Sequence, residues 1–377
     1  MESSRPRPPG AVDATVIPEL AGLMPATGPF VTVYLNTEPA VENAAQRDEL
    51  RWKALRQSLE EQGAPTPALE AIDPLVPDAH TRGRTLVGVA GPEGLLLTRH
   101  GPEPVATDVG RVGALPSLAP LLEWAQEALP HVIVLADRVG ADLVGVGAAG
   151  EDVLSSVGPS DGHDPRIRKS KPGGWSQARY QERAEVAWEE RAGEVAERVT
   201  SLVHDLEARL VVVAGDVRAV QLLREALPAE VDDLVAEVDG SRAADGSEDE
   251  MADNAVRLVA TVAAADTTEF LRRWKEETGR GAAGVEGVGP VMAALRESRV
   301  DVLLVHDDPA DERIGWFLPE AGMPAEGPVV LGELNLGEDP QSARLVDVAI
   351  FGALRTGAAV RIVPSVPADG LGALLRY

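Results

Sequence analysis

The densest positive cluster in this acidic chain sits beside two adjacent glycines. Between Pro165 and Arg183 lie Arg166, Arg168, Lys169, Lys171, Arg179 and Arg183 against the single acid Glu182, a local charge of +5 in a protein of net charge −26. Lys169 and Lys171 are two of only four lysines in the sequence. Cations at this density suit contact with a polyanion. Gly173 and Gly174 tolerate positive φ and let backbone N–H groups approach a partner without Cβ clashes. Trp175 and Gln177 are expected to stand exposed beside this hinge. Taken alone, so short a pattern reads first as a solvated loop whose charges keep it soluble.

The elements that must position this stretch are legible around it. Ser176 suits a helix N-cap. From Gln177 onward Tyr180, Ala184, Trp188, Val195, Val199, Leu202 and Leu206 recur at helical spacing, which predicts a helix to about Arg209. Arg179 and Arg183 lie one turn apart on a second face. Upstream, His131–Ala136 reads as an apolar strand, 137–140 as a turn and Ala141–Val146 as the return strand. Downstream, Leu210–Gly215 is wholly apolar after a long helix, the mark of a parallel sheet covered on both faces, and a helix is expected over 217–227. Gly215-Asp216 could be a phosphate-binding turn, but neither Gly-x-Gly-x-x-Gly nor Gly-x-x-x-x-Gly-Lys-Ser/Thr occurs, so nucleotide hydrolysis is not expected.

Before this region, 30–35 reads as a strand, 42–61 as an amphipathic helix carrying Leu50, Trp52, Leu55 and Leu59, and 63–67 as a proline-rich break. Thr85–Ala90 and Gly94–Thr98 are predicted to form a hairpin. After it come an acidic exposed loop within 232–253 and a helix over 251–278. Residues 284–289 read as a glycine-rich connector leading to a helix over 291–299. A buried strand over 300–308, a helix or strand over 345–350 and a strand over 358–364 complete the chain. The expected organisation is α/β and α+β in three domains: a disordered tail 1–10, an N-terminal α+β domain 11–128, a central parallel-sheet domain 129–262 with an exposed basic Gly-Gly loop, and a C-terminal α/β domain 263–377.

Composition narrows the functions. Zero cysteines exclude disulfides, thiolate nucleophiles and cysteine-based metal sites. The six histidines show no ligand spacing, so no metal and no cofactor is expected. The N-terminus lacks the apolar segment of a signal peptide and no apolar run is long enough to span a bilayer, which predicts a cytoplasmic protein. A net charge of −26 opposes indiscriminate nucleic-acid binding and favours docking to a structured ribonucleoprotein through a local basic patch.

The stretch Arg-Lys-Ser-Lys-Pro-Gly-Gly-Trp-Ser-Gln-Ala-Arg-Tyr (168–180), followed by a long Glu/Arg/Ala helix, resembles the central domain of the archaeo-eukaryotic class-1 release factors and Pelota. In that superfamily a Gly-Gly-Gln loop precedes a Ser-Ala-x-Arg-Phe-type helix start; here Trp175 and Ser176 intervene between Gly174 and Gln177. The tail 369–377, Asp-Gly-Leu-Gly-Ala-Leu-Leu-Arg-Tyr, resembles the Gly-x-x-Ala-Ile-Leu-Arg-Tyr/Phe stretch of the superfamily's C-terminal domain, which is similar to ribosomal proteins that bind kinked RNA. The resemblance points to the bacterial branch that contains ribosome hibernation factors. It implies a first domain facing the decoding site, a basic loop near the peptidyl-transferase centre and a C-terminal domain docking a translational GTPase such as elongation factor Tu. It implies a ribosome-binding factor that is not an enzyme and occupies the A site of idle ribosomes. Arg166, Arg168, Lys169, Lys171, Arg179 and Arg183 would meet rRNA together with Gly173, Gly174, Trp175, Ser176 and Gln177. The alternative is a rescue factor promoting peptidyl-tRNA hydrolysis, with Gln177 positioning water. A cytoplasmic scaffold unconnected to the ribosome is a third reading.

Overall fold

Strand β1 (Phe30–Asn36) feeds two cores, because successive side chains leave a strand on opposite faces. Phe30 and Tyr34 share one core with Leu20 and Leu23 of the short helix α1 (Leu20–Leu23). Val31, Val33 and Leu35 share another with helices α2 (Ala44–Glu61) and α3 (Thr66–Ile72). The computed structural model describes residues 10–23, 26, 28–38, 44–101, 103–137, 140–147, 152–157, 177–239, 247–281, 283–308, 310–317, 341–364 and 368–377. The chain divides into two compact units, Met1–Gln126 with Asp266–Tyr377, and Glu127–Ala265. The tail expected over 1–10 falls almost wholly outside the described residues.

In the first unit, β2 (Thr85–Gly91) and β3 (Gly94–Gly101) form the expected hairpin. A strand not anticipated, β4 (Val109–Gly113), completes an antiparallel sheet in the order β3-β2-β1-β4. Its sequence, Val-Gly-Arg-Val-Gly, has little strand propensity, and pairing to β1 supplies the structure. The proline-rich break is shorter than expected, since α3 opens at Thr66 with Pro67 in its first turn, where proline costs a helix nothing. Leu50 of α2, read as part of its apolar face, is instead 61% exposed. Helix α4 (Ala119–Glu127) follows.

In the second unit, β5 (His131–Ala136) and β6 (Ala141–Val146) sit where the sequence places them, and β7 (Asp152–Val157) extends the meander. Helix α5 (Gln177–Asp205), strand β8 (Leu210–Gly215), helices α6 (Val217–Ala226) and α7 (Ala229–Asp232) and strand β9 (Val235–Glu237) complete it, with helix α8 (Ser247–Gly279) running on. The sheet order is β7-β6-β5-β8-β9. Only β5, β8 and β9 run parallel; β6 and β7 are antiparallel, so the expected parallel sheet is a mixed one. The reason lies in the tight 137–140 connection, which can join only antiparallel neighbours.

Returning to the first unit, β10 (Gly284–Glu286) is a strand where a connector was expected. It is paired to the last strand of the chain, β15 (Leu371–Leu375). Helix α9 (Val288–Arg296), strand β11 (Val300–Val305), the hairpin β12 (Ile314–Phe317) and β13 (Gln341–Arg344), helix α10 (Leu345–Arg355) and strand β14 (Ala359–Ile362) lie between. The sheet order is β10-β15-β11-β14, with β11 and β14 parallel. One continuous core joins this region to the first: Phe30, Val87, Leu118 and Leu122 pack in the same cluster as Leu295, Leu303, Val348 and Phe351. Helix α8 serves two cores. Ala255, Leu258 and Val262 cluster with Leu210 and Val212 in the second unit, whereas Phe270 and Trp274 cluster with Val302 and Leu304 in the first.

Candidate functional site

The basic Gly-Gly stretch enters from β7 and leaves into α5. Arg166, Arg168, Lys169, Lys171, Gly173, Gly174, Trp175 and Ser176 lie outside the described residues. Gln177, Arg179 and Arg183 fall on the first two turns of α5, as the helical spacing predicts. What the structure shows of this site is therefore its mount. Ala192, Val195, Ala196, Val199, Leu202 and Val203 on α5 are buried against Val134, Leu143 and Val213 of the sheet. Side chains at the end of α5 cover β6: a Cβ on Gly145 would come within 3.5 Å of Leu202 Cδ2 on the helix and 2.5 Å of Leu206 Cδ1 just past it. Arg198 Nε donates to Ser155 Oγ at 2.9 Å, tying α5 to β7, the strand from which the basic stretch departs. From Ala192 back to Gln177 a helix rises about 22 Å. Gln177, Arg179 and Arg183 thus ride on the end of α5 remote from its packed residues Ala192 to Val203.

The Gly215-Asp216 turn has a different role from an anion cradle. Gly215 has φ 136°, and a Cβ there would collide with Ala136 O, so glycine is required by the approach of β8 to β5. The Asp216 carboxylate accepts from Arg218 N at 3.0 Å and Ala219 N at 3.3 Å. A carboxylate already occupying the helix N-terminus repels a second anion. The crevice beside it, about 590 Å³, is lined by Glu237, Asp239, Asn254 and Arg257 among others. Glu237 is held by Arg224 at 2.7 Å, and Arg224 also binds Asp232, holding that carboxyl below its usual range. Among the described residues no group of three or more metal-binding side chains assembles.

Two features of the first unit were missed from sequence. Asp347, on α10, is buried, and burial pushes its carboxyl up to about 7. Arg344 lies 3.8 Å away and offsets part of that rise; Asp307 adds to it, while Arg111 and a hydrogen bond from Ser117 oppose it. Arg344 itself donates to Asp307 at 2.8 Å. A lone acid inside the apolar run Leu-Val-Asp-Val-Ala-Ile was the available signal. The second is Arg376 in the Leu-Leu-Arg-Tyr tail. Its guanidinium donates to Ser298 O at 3.2 Å, just past α9, and to Thr356 O at 3.0 Å, just past α10. A cation placed on carbonyls at two helix C-termini is stabilising. The tail motif therefore has a structural duty of its own.

The mount, a mixed sheet with a long helix entered from a basic Gly-Gly stretch, is the part of the chain that a known family matches. Residues 130–280 match the bacterial archaeo-eukaryotic release factor family 2. The matched segment includes the whole basic stretch. Uncharacterized proteins from two strains of Mycobacterium tuberculosis are 29% identical over 371 residues, covering 95% of this chain and 96% of theirs. Among solved structures, an archaeal translation termination factor is 17% identical, covers 96% of this chain and 97% of its own, and has a TM-score of 0.27. Pelota from Archaeoglobus fulgidus is 18% identical over 78% of this chain and 79% of its own, with a TM-score of 0.34. No helix among the described residues is long and apolar enough to cross a membrane.

Proposed function

We propose that this protein is a ribosome-binding translation factor that occupies the A site and holds idle ribosomes in hibernation, a role that accords with its resemblance to the hibernation factor Balon. The observation that carries this reading is the family match over 130–280, the segment that holds the only strongly cationic stretch of a chain of net charge −26. In this proposal Arg166, Arg168, Lys169 and Lys171 neutralise rRNA phosphates, and Gly173-Gly174 bring the backbone close. Trp175 stacks on a base, while Gln177 bonds a base or ribose from the first turn of α5. The region 1–128 faces the decoding site, and the C-terminal region meets a translational GTPase such as elongation factor Tu. The protein works in the cytoplasm and requires no cofactor.

The test is co-sedimentation with ribosomes from stationary-phase cells at low and high salt. Association at low salt is expected. Replacing Arg166, Arg168, Lys169 and Lys171 with alanine should weaken binding by at least tenfold and flatten its salt dependence by up to four counterions. Absence of association at low salt removes the proposal.

The alternative is ribosome rescue by peptidyl-tRNA hydrolysis, with Gln177 positioning water; against it stand Trp175 and Ser176, which separate Gly174 from Gln177. Release of peptide from a stalled complex, abolished by Gln177→Ala, would establish that reading over hibernation.

A further inference from the structure

Arg344 stands between two acids and is bonded to one of them. Its Nη2 donates to Asp307 Oδ1 at 2.8 Å and to Asp308 O at 3.3 Å, fastening the turn that follows β11. Its Nη1 lies 3.8 Å from Asp347 Oδ1, too far for a hydrogen bond. Asp347 is 5% exposed, and its Oδ1 has no hydrogen-bond partner among the described residues. A buried carboxylate oxygen without a donor is costly, so this geometry suits an acid that keeps its proton. Its place in the first turn of α10 suits the opposite state, since a helix N-terminus favours negative charge. The rise of its carboxyl to about 7 puts the two states in balance near neutrality.

The surroundings decide what moves. Facing Asp347 are Arg344 on β13, Asp307 beyond β11, Arg111 on β4, Ser117 ahead of α4 and Tyr34 on β1. Tyr34, whose hydroxyl donates to Ser117 O at 2.8 Å, is pushed far up by burial and stays neutral. Of the two arginines, Arg344 is the one within 4 Å of both acids. Asp311, the next acid along the loop, is already held by Arg313 at 2.6 Å. Asp307 also faces Glu123 of α4, whose carboxyl is raised by burial and then by Asp307. We propose that Arg344 is a proton-operated clasp: it holds the turn at 307–308 while Asp347 is protonated, and swings onto Asp347, releasing the turn, when that proton leaves. Charge balance drives the exchange. With Asp347 protonated, the arginine has one acid to meet. After ionisation two acids compete for it, and Asp347, flanked by buried Val346 and Val348, cannot turn to water. Asp307, with 16% of its side chain exposed, can. Left without its cation beside Glu123, Asp307 is driven outward by like charge.

The chain has no cysteine, so Glu312→Cys, at an exposed position beyond the turn, takes a single nitroxide label. Its paramagnetic resonance spectrum reports how freely the loop moves. The mobile fraction should rise about twofold or more from pH 6 to pH 8, with a midpoint near 7. With Asp347→Asn added it should stay low at both values, and with Asp307→Asn added it should stay high at both. His306 is the neighbouring rival for a pH response, its Nδ1 lying 3.1 Å from Val363 O. A response that survives Asp347→Asn would assign the switch to His306 and overturn the proposal, as would an unchanged spectrum from pH 6 to pH 8. Should Asp347→Asn fail to fold, Arg344→Ala decides in its place. With nothing left to hold the turn the label should be mobile at both pH values, and a persisting pH response would sink the clasp.

Discussion

Asp347 is a carboxyl that the folded chain prefers protonated. Its pKa is raised from an ordinary carboxylate value to about 7, with burial the largest cause, so the native state holds a proton that the unfolded chain releases near pH 4. The stabilising contribution is therefore complete below about pH 4 and is lost as pH rises toward 7. Asp347→Asn, which keeps the shape and removes the charge, should gain stability over wild type at pH 8 by about 1–3 kcal/mol, and little at pH 4. Denaturant unfolding at both values measures it; an equal difference at the two pH values would refute the assignment. Arg376 makes the opposite kind of contribution, since its charge joins two helix ends. Arg376→Ala strips a donor from Ser298 and Thr356 carbonyls and should cost about 1–3 kcal/mol, read as a lower denaturation midpoint at unchanged m. Arg376→Lys should recover only part, since an ammonium lacks the planar fork that reaches both carbonyls.

At the level of elements, sequence and structure agree where local pattern and tertiary packing ask for the same thing. Strands β5, β6 and β8 lie at the predicted residues, because an apolar run bounded by Asp137-to-Gly140 or by Gly215 has one way to be buried and one place to stop. The start of α5 at Gln177 was legible for the same reason. Strands β4, β9 and β10 carry no such pattern: Val-Gly-Arg-Val-Gly, Val-Ala-Glu and Gly-Val-Glu become strands through their neighbours β1, β8 and β15. Of the candidate site, the helix bearing Gln177, Arg179 and Arg183 was readable, and the clamp that fixes it was not. The Arg198–Ser155 bond joins residues 43 apart in sequence, and no spacing rule announces it. Gly145→Leu should overpack the contact with Leu202 of α5 and Leu206 just past it and lower the thermal midpoint by several degrees, read by circular dichroism.

On the scale of the whole molecule, charge sets the terms of association. A body of net charge −26 repels a bare polyanion, so the proposed ribosome docking requires full-length protein to bind poly-uridine at least tenfold more weakly than ribosomes at the same salt, by filter retention. Comparable affinities would point to a non-specific RNA binder. The two units also have separate cores, and α8 is common to both, Ala255 serving one and Phe270 the other.

One run of helical backbone thus lends side chains to two interiors, Ala255 to one and Phe270 to another. Proline at Ala264, between those positions, removes a backbone donor and clashes with the preceding turn, so it should weaken the helical signal in circular dichroism and lower the thermal midpoint by several degrees.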